Sequence, residues 1–124
     1  MGALILIIED NPKDLKLVRD VLSVKGHEII DADTAEVGIE LALERQPDLI
    51  LMDVMLPGMN GREAMQVLKA DPGTKQIPII ALTSFAMKGD RERLLADGFD
   101  GYIAKPIDIK EFPGVLESHL SKRP

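Results

Sequence analysis

The chain has 124 residues, of which 45% are hydrophobic, 29% charged and 3% aromatic, and its formal net charge is −6. This length and balance suit one globular domain with an aliphatic core. The negative charge argues against a nucleic-acid-binding face, and the absence of cysteine excludes disulfides and thiolate metal sites.

Short apolar runs alternate with helical patterns along the whole chain. Each apolar run is followed by acidic, hydroxyl or turn residues, and each helical pattern has apolar residues three or four positions apart. Asn11 and Pro12 are a typical helix start, and Gly26 is a typical helix stop. The predicted strands are 4–8, 28–32, 48–53, 77–82 and 101–104, and the predicted helices are 12–25, 34–45, 61–70, 90–97 and 108–120.

Five strands that alternate with five helices predict an α/β fold, with a parallel sheet covered on both faces. No linker or low-complexity tract interrupts the pattern, which predicts a single domain over residues 1–124. One local conflict is Pro113-Gly114 within the last helical pattern, because proline removes a helical hydrogen bond. Either that helix starts at Pro113 or its first turn is distorted.

Residues 49–61 read LILMDVMLPGMNG, an apolar run that ends at Asp53 and is followed by a Pro-Gly turn signal. A carboxylate at the end of a buried strand is costly unless another group pairs with it. In open parallel α/β sheets ligands bind at the carboxyl ends of the strands, so we expect the residues that follow each strand to converge there. Those residues are Glu9, Asp10, Asp53, Thr83, Ser84 and Lys105.

This set of residues suits phosphoryl chemistry. Asp10 and Asp53 are expected on neighbouring strands, where their charges repel unless a cation offsets them. Mg²⁺ is such a cation, since it binds one or two carboxylates together with a phosphate oxygen and waters. Lys105 adds a point charge suited to phosphate, and aspartate is an established nucleophile towards phosphoryl groups.

Four segments together carry a family resemblance: IIEDN at 7–11, LILMDVMLPGMNG at 49–61, IIALTSFAMKGD at 79–90 and GYIAKPI at 101–107. In order and spacing they resemble the receiver domain of two-component response regulators, over nearly the whole chain. The resemblance implies a doubly wound, flavodoxin-like (βα)5 fold with a five-stranded parallel sheet of order 2-1-3-4-5. It also implies a cis peptide bond between Lys105 and Pro106.

The same resemblance implies a role for each residue of the acidic edge. Asp53 would accept a phosphoryl group from the phosphohistidine of a histidine kinase or a histidine phosphotransfer protein. Asp10, Asp53 and the backbone carbonyl of Met55 would hold Mg²⁺, with Glu9 acting through water. Lys105 would contact the phosphoryl group.

The resemblance further implies a switch that acts on an unidentified downstream protein or output domain. Thr83 would bond a phosphoryl oxygen, and the aromatic ring of Tyr102 would change rotamer with it. The surface formed by the fourth helix, fifth strand and fifth helix would be read by the partner. Met55 and Phe85 would flank the phosphoryl group, and both are apolar. We therefore expect slow self-dephosphorylation, as in a self-phosphorylating phosphoacceptor rather than a turnover enzyme.

Three other functions were weighed. A phosphatase of the haloacid-dehalogenase type needs a second aspartate two positions after the nucleophile, where this chain has Met55. A flavodoxin needs a phosphate loop rich in hydroxyls and glycine after the first strand, where this chain has the acidic EDNPKD. A receiver-like docking module that accepts no phosphate stays open.

The remaining expectations concern location and the histidines. No apolar run approaches the roughly 18 residues of a membrane span, and the N-terminus lacks a signal-peptide pattern. Together with the absence of cysteine, this predicts a cytoplasmic protein that contacts neither membrane nor nucleic acid. His27 and His119 are expected on the solvent side and away from the acidic edge, so no phosphohistidine donor is expected within the chain.

Overall fold

The computed structural model describes residues 2–84 and 88–121, in which strands and helices alternate in the predicted order. Within this part of the chain, no helix is both long and apolar enough to cross a membrane. The elements are β1 (Leu4–Ile8), α1 (Pro12–Val24), β2 (Glu28–Ala32), α2 (Ala35–Arg45), β3 (Leu49–Asp53), α3 (Gly61–Ala70), β4 (Ile79–Thr83), α4 (Lys88–Asp97), β5 (Gly101–Ala104) and α5 (Phe112–Ser121).

The five strands form one parallel sheet of order β2-β1-β3-β4-β5, which confirms the predicted fold class. The chain order reverses between β1 and β3, since β2 lies on one side of β1 and β3 on the other. The carboxyl ends of β1 and β3 therefore meet at the point where such sheets bind their ligands. The peptide bond between Lys105 and Pro106 is cis, as predicted.

Side chains of the central strands alternate between two aliphatic cores, one on each face of the sheet. Ile50 and Met52 belong to the core that is covered by α2, α3 and α4, whereas Leu49 and Leu51 belong to the core covered by α1 and α5. All five residues of β3 are buried. Such two-sided burial requires a continuous apolar run, so the position of Asp53 at its end is unusual.

The side chain of Asn11 fixes the start of α1. Its Oδ1 accepts hydrogen bonds from the backbone N–H groups of Lys13 at 2.9 Å and Asp14 at 3.2 Å. Pro12 occupies the first helical position, where its missing N–H costs nothing. This cap places Asp14 in the first helical turn, directly after the carboxyl end of β1.

Three predicted boundaries were wrong by two to four residues, and one of them is the start of α4, which begins at Lys88 rather than at residue 90. β4 begins at Ile79 rather than at residue 77, because Pro78 has no N–H for the ladder and contributes only its carbonyl, which accepts from Ile50 N at 2.9 Å. α5 begins at Phe112 rather than at residue 108. Pro113 then lies in the first turn, where helical N–H groups have no partner within the helix, and this resolves the conflict seen in the sequence.

Both histidines are half-buried rather than on the solvent side. Nδ1 of His27 accepts a hydrogen bond from Ala3 N at 3.0 Å. The ring of His119 lies so close to Gly101 that an added Cβ there would collide with it. Ala3 and Gly101 lie at the amino ends of β1 and β5, so both histidines lie at the sheet edge opposite the acidic one.

Candidate functional site

The carboxyl ends of four strands bring the predicted residues to one edge of the sheet. Glu9 and Asp10 follow β1, Asp53 ends β3 and Thr83 ends β4. Lys105 follows β5, and its backbone N–H donates to the carbonyl of Thr83 at 2.8 Å. The parallel register thus places the carboxylates, the hydroxyl and the ammonium around one cleft, as expected from the sequence.

The ammonium of Lys105 lies at the centre of this group. Its Nζ is 2.7 Å from Glu9 Oε1, 3.1 Å from Asp14 Oδ2 and 3.2 Å from Asp53 Oδ2. The Lys105 side chain is 15% exposed, whereas that of Glu9 is fully buried. Since a buried carboxylate is costly alone, Lys105 supplies the pairing that Glu9 and Asp53 require.

The carboxylate of Asp53 is held on both of its oxygens. Oδ1 accepts from the backbone N–H of Met55 at 2.9 Å, and Oδ2 accepts from Lys105. Its backbone is confined as well, because a Cβ added to Gly61 would collide with the carbonyl oxygen of Asp53. Asp53 is 5% exposed, so its carboxylate is fixed in position and reached only through the cleft.

Glu9, Asp10 and Asp53 form a group that could hold a metal ion. One carboxylate oxygen from each lies within 4.8 Å of the other two. Asp10 is exposed while the other two are buried, so the group opens to solvent on one side. Oxygen-only donors with an open side fit Mg²⁺, which keeps several of its waters.

Two pKa values depart from their ordinary range. Burial, together with the hydrogen bond to Asp53, raises the pKa of Glu9 to about 7, although Lys105 and Asn11 N act in the opposite direction. Burial alone would lower the pKa of Lys105, but its hydrogen bonds to Glu9 and Asp14 raise it above the ordinary value. Lys105 is therefore charged throughout the neutral range.

The raised pKa of Glu9 predicts a pH-dependent difference in stability between Glu9→Gln and the wild type without metal. Between the ordinary value of 4.5 and about 7, the unfolded chain loses the Glu9 proton while the folded protein keeps it. Ionisation of Glu9 thus lowers the free energy of unfolding of the wild type as pH rises. Relative to the wild type, the free energy of unfolding of Glu9→Gln should therefore rise by on the order of 1–3 kcal/mol. Urea unfolding in EDTA from about pH 5 to about pH 8 measures this difference; a pH-independent difference would contradict it.

The two predicted switch residues, Thr83 and Tyr102, lie on the adjacent strands β4 and β5. Thr83 is buried, and it pairs in register with Ala104, whereas Tyr102 pairs with Ala81 two residues earlier. The Tyr102 ring is half-buried, and the guanidinium carbon of Arg91 on α4 lies 5.2 Å from its centre. This distance suits a cation–π contact, which links the ring to α4.

Of the two positions predicted to flank the phosphoryl group, Met55 and Phe85, the structure describes only Met55. Met55 is 62% exposed beside Asp53, and its side chain is apolar where a water would approach. Phe85, the other position, lies outside the described residues. Ser84, which follows Thr83, is exposed.

Sequence reasoning missed Asp14 as a member of the site. The predicted helix start at Asn11-Pro12 places Asp14 in the first turn, beside the carboxyl end of β1. Since first-turn acids are common at helix starts, the residue type alone gave no signal. Its contact with Lys105, at 3.1 Å, joins the first turn of α1 to the residue that follows β5, and spacing along the sequence does not show it.

Comparisons with known proteins agree with this geometry. The family model of the response regulator receiver domain matches residues 5–117. The chain is 43% identical over 116 residues to the polar-differentiation response regulator DivK of Brucella ovis. The aligned residues make up 94% of each chain.

Two solved structures of receiver domains from histidine kinases are also similar. One, from Pseudomonas aeruginosa PAO1, has a TM-score of 0.90 and 32% identity, covering 98% of this chain and 100% of that one. That structure has a magnesium ion coordinated in its active-site cleft. The other, from Syntrophus aciditrophicus, has a TM-score of 0.88 and 30% identity, covering 99% of this chain and 95% of that one.

Proposed function

The chain belongs to the response regulator receiver domain family, and we propose that Asp53 accepts a phosphoryl group from the phosphohistidine of a partner. The observation that carries the proposal is the buried Asp53 carboxylate, held between Met55 N and Lys105 within reach of Glu9 and Asp10. The partner is a histidine kinase or a histidine phosphotransfer protein. We extend the proposal to residues 1–124 as a single receiver domain acting in the cytoplasm.

In the transfer step, an oxygen of Asp53 attacks the phosphorus atom of the phosphohistidine. An O–P bond forms while the P–N bond breaks, and the imidazole leaves with the electron pair and takes up a proton. The nucleophile is the carboxylate of Asp53, and because it is held in position it needs little reorganisation before it attacks. Lys105 then contacts the phosphoryl oxygens, whose charge it offsets.

The residues of the acidic edge fit a bound Mg²⁺ ion. Asp10, Asp53 and the carbonyl of Met55 would hold it directly, and Glu9 would act through water. When bound, Mg²⁺ offsets the negative charge of the carboxylates and of the incoming phosphoryl group.

The acyl phosphate would change the surface of the protein through Thr83 and Tyr102. A phosphoryl group adds roughly −1.5 to −2 charge, which gives Thr83 a strong acceptor at the end of β4. Tyr102 lines a cleft of about 560 Å³ between α4, β5 and α5. We propose this face as the surface that a downstream protein or output domain reads, by a shift between two pre-existing states.

The phosphoacceptor function is favoured over two of the three rival functions, the phosphatase and the docking module. A haloacid-dehalogenase-type phosphatase needs an acid–base carboxylate two residues after the nucleophile, and Met55 supplies only an exposed thioether. A docking module without phosphotransfer would not require a buried Glu9–Lys105–Asp53 arrangement, since buried charged groups are costly to retain.

Slow self-dephosphorylation is expected from the apolar side chain of Met55. Replacing it in Met55→Gln adds an amide that can hold the attacking water, and we expect hydrolysis to become about threefold to tenfold faster. The decay of phosphorylated protein, followed by intact mass, measures the rate. Met55→Leu is the matched control and should stay slow; an equal rate in Met55→Gln and the wild type would contradict the expectation.

Acetyl phosphate, a small phosphoryl donor, tests the proposed function without a cognate kinase. The intact mass of the protein should rise by one phosphoryl group in the presence of Mg²⁺ and stay unchanged in EDTA. A protein that binds Mg²⁺ but takes up no phosphoryl group, from acetyl phosphate or from a phosphorylated histidine phosphotransfer protein, would contradict the proposal and favour the docking module.

A further inference from the structure

Asp14 contacts the ammonium of Lys105 but has no part in the proposed transfer step. Its Oδ2 lies 3.1 Å from Lys105 Nζ, slightly closer than Asp53 Oδ2 at 3.2 Å. Its carboxylate is not one of the three whose oxygens lie within 4.8 Å of one another. A charged group so close to Lys105 and outside this group calls for a separate role.

Three carboxylates surround the ammonium of Lys105. Its Nζ donates hydrogen bonds to Glu9 and Asp53 and pairs with Asp14 at 3.1 Å. A phosphoryl group that approaches Lys105 therefore competes with these carboxylates for the ammonium.

Asp53 carries the phosphoryl group and stays beside Lys105, so burial decides whether Lys105 releases Glu9 or Asp14 more readily. The side chain of Glu9 is fully buried, so losing Lys105 would leave its carboxylate unpaired away from water. The side chain of Asp14 is 26% exposed, so its carboxylate can turn to solvent when released. Asp14 holds its place on α1 through the backbone, because Asn11 accepts from its N–H.

We propose that Asp14 is a positioning residue that competes with the phosphoryl group for Lys105 and thereby slows phosphorylation of Asp53. This inference rests on the proposed function of Asp53. Asp14 holds the ammonium towards α1 in the unphosphorylated protein. Release of that contact lets Lys105 move towards a phosphoryl oxygen during transfer.

The test is the rate of Asp53 phosphorylation by acetyl phosphate at saturating Mg²⁺, followed by intact mass. Asp14→Asn keeps the shape and removes the charge, so Lys105 pairs less tightly with α1. We expect the rate to rise roughly twofold to fivefold, a factor typical of losing one partly exposed ion pair. The half-saturating Mg²⁺ concentration should not fall, because the lost charge cannot strengthen metal binding.

Two variants separate this role from a general change of charge or helix stability. Asp20→Asn removes an exposed carboxylate that pairs with Lys16 on the same helix, and it should change the rate by less than about twofold. Asp14→Glu restores the charge and should return the rate towards that of the wild type.

Three results would overturn the inference while leaving the proposed function intact. They are an unchanged rate in Asp14→Asn, an equal rise in Asp20→Asn, and a rise that comes with a lower half-saturating Mg²⁺ concentration. A wild-type protein that takes up no phosphoryl group under the same conditions would instead contradict the proposed function itself.

Discussion

Asp53→Asn is expected to take up no phosphoryl group from acetyl phosphate while remaining folded. The amide has the shape of the carboxylate but cannot form an acyl phosphate at this position. Its oxygen can still accept from Met55 N, and only the hydrogen bond from Lys105 loses its acceptor, so the fold should persist. Intact mass measures the uptake, and circular dichroism checks the fold.

A matched control for this loss is Asp33→Asn. Asp33 is exposed and follows β2 at the same edge of the sheet, so the variant carries the same change of charge near the site. It should take up one phosphoryl group at a rate close to that of the wild type. Full uptake by Asp53→Asn would place the acceptor elsewhere and contradict the assignment of Asp53.

Gly61→Ala should strongly destabilise the protein and displace Asp53. The new Cβ would collide with the carbonyl oxygen of Asp53 and lie 2.9 Å from Val54 Cα. Both are backbone atoms at the buried end of β3, so neither can move without disturbing the sheet. Gly61 N also donates to Val54 O at 3.1 Å, and this bond joins α3 to the end of the strand.

We expect the free energy of unfolding of Gly61→Ala to fall by about 2–4 kcal/mol, the range of severe overpacking. Phosphoryl uptake should slow as well, because the nucleophile moves. Gly89→Ala in α4 is the control, since nothing lies within 4 Å of its added Cβ. Alanine there should be neutral or stabilising by about 0.5–1 kcal/mol. Equal urea midpoints for both variants would show that the contact at Gly61 is not restrictive.

The central strands could be predicted because burial on both faces leaves a simple signal. β1 and β3 are continuous apolar runs, and β1 was predicted with its observed bounds. The cap at Asn11 similarly fixed the start of α1. Parallel topology then follows from the alternation of strands and helices, and it brings Glu9, Asp53 and Lys105 to one edge without further information.

The boundaries that were missed depend on bonds between distant segments. The apolar pattern starts β4 at residue 77, but the strand begins at Ile79, whose N–H donates to the side chain of Asp100, at Oδ2, at 2.8 Å. The start of α5 depends on a turn in which Phe112 N donates to Asp108 O at 2.9 Å. The spacing of apolar residues along the sequence does not reveal either hydrogen bond.

The same holds for the site. The ends of the strands identify residues that come together, but they do not show which carboxylates pair with Lys105. Asp14 was missed because its contact with Lys105 joins residues 91 positions apart, through the packing of separate elements. The roles of Thr83 and Tyr102 in switching stay predictions, since they depend on a second state of the protein.

The proposal that Asp53 is the acceptor is tested most directly by locating the phosphoryl group in the chain. Borohydride reduces an acyl phosphate to an alcohol, so a phosphorylated aspartate becomes homoserine, which peptide mass mapping locates. After incubation with acetyl phosphate and Mg²⁺, we expect homoserine at position 53 and at no other aspartate. Homoserine at another aspartate, or phosphoryl uptake with none at position 53, would contradict it.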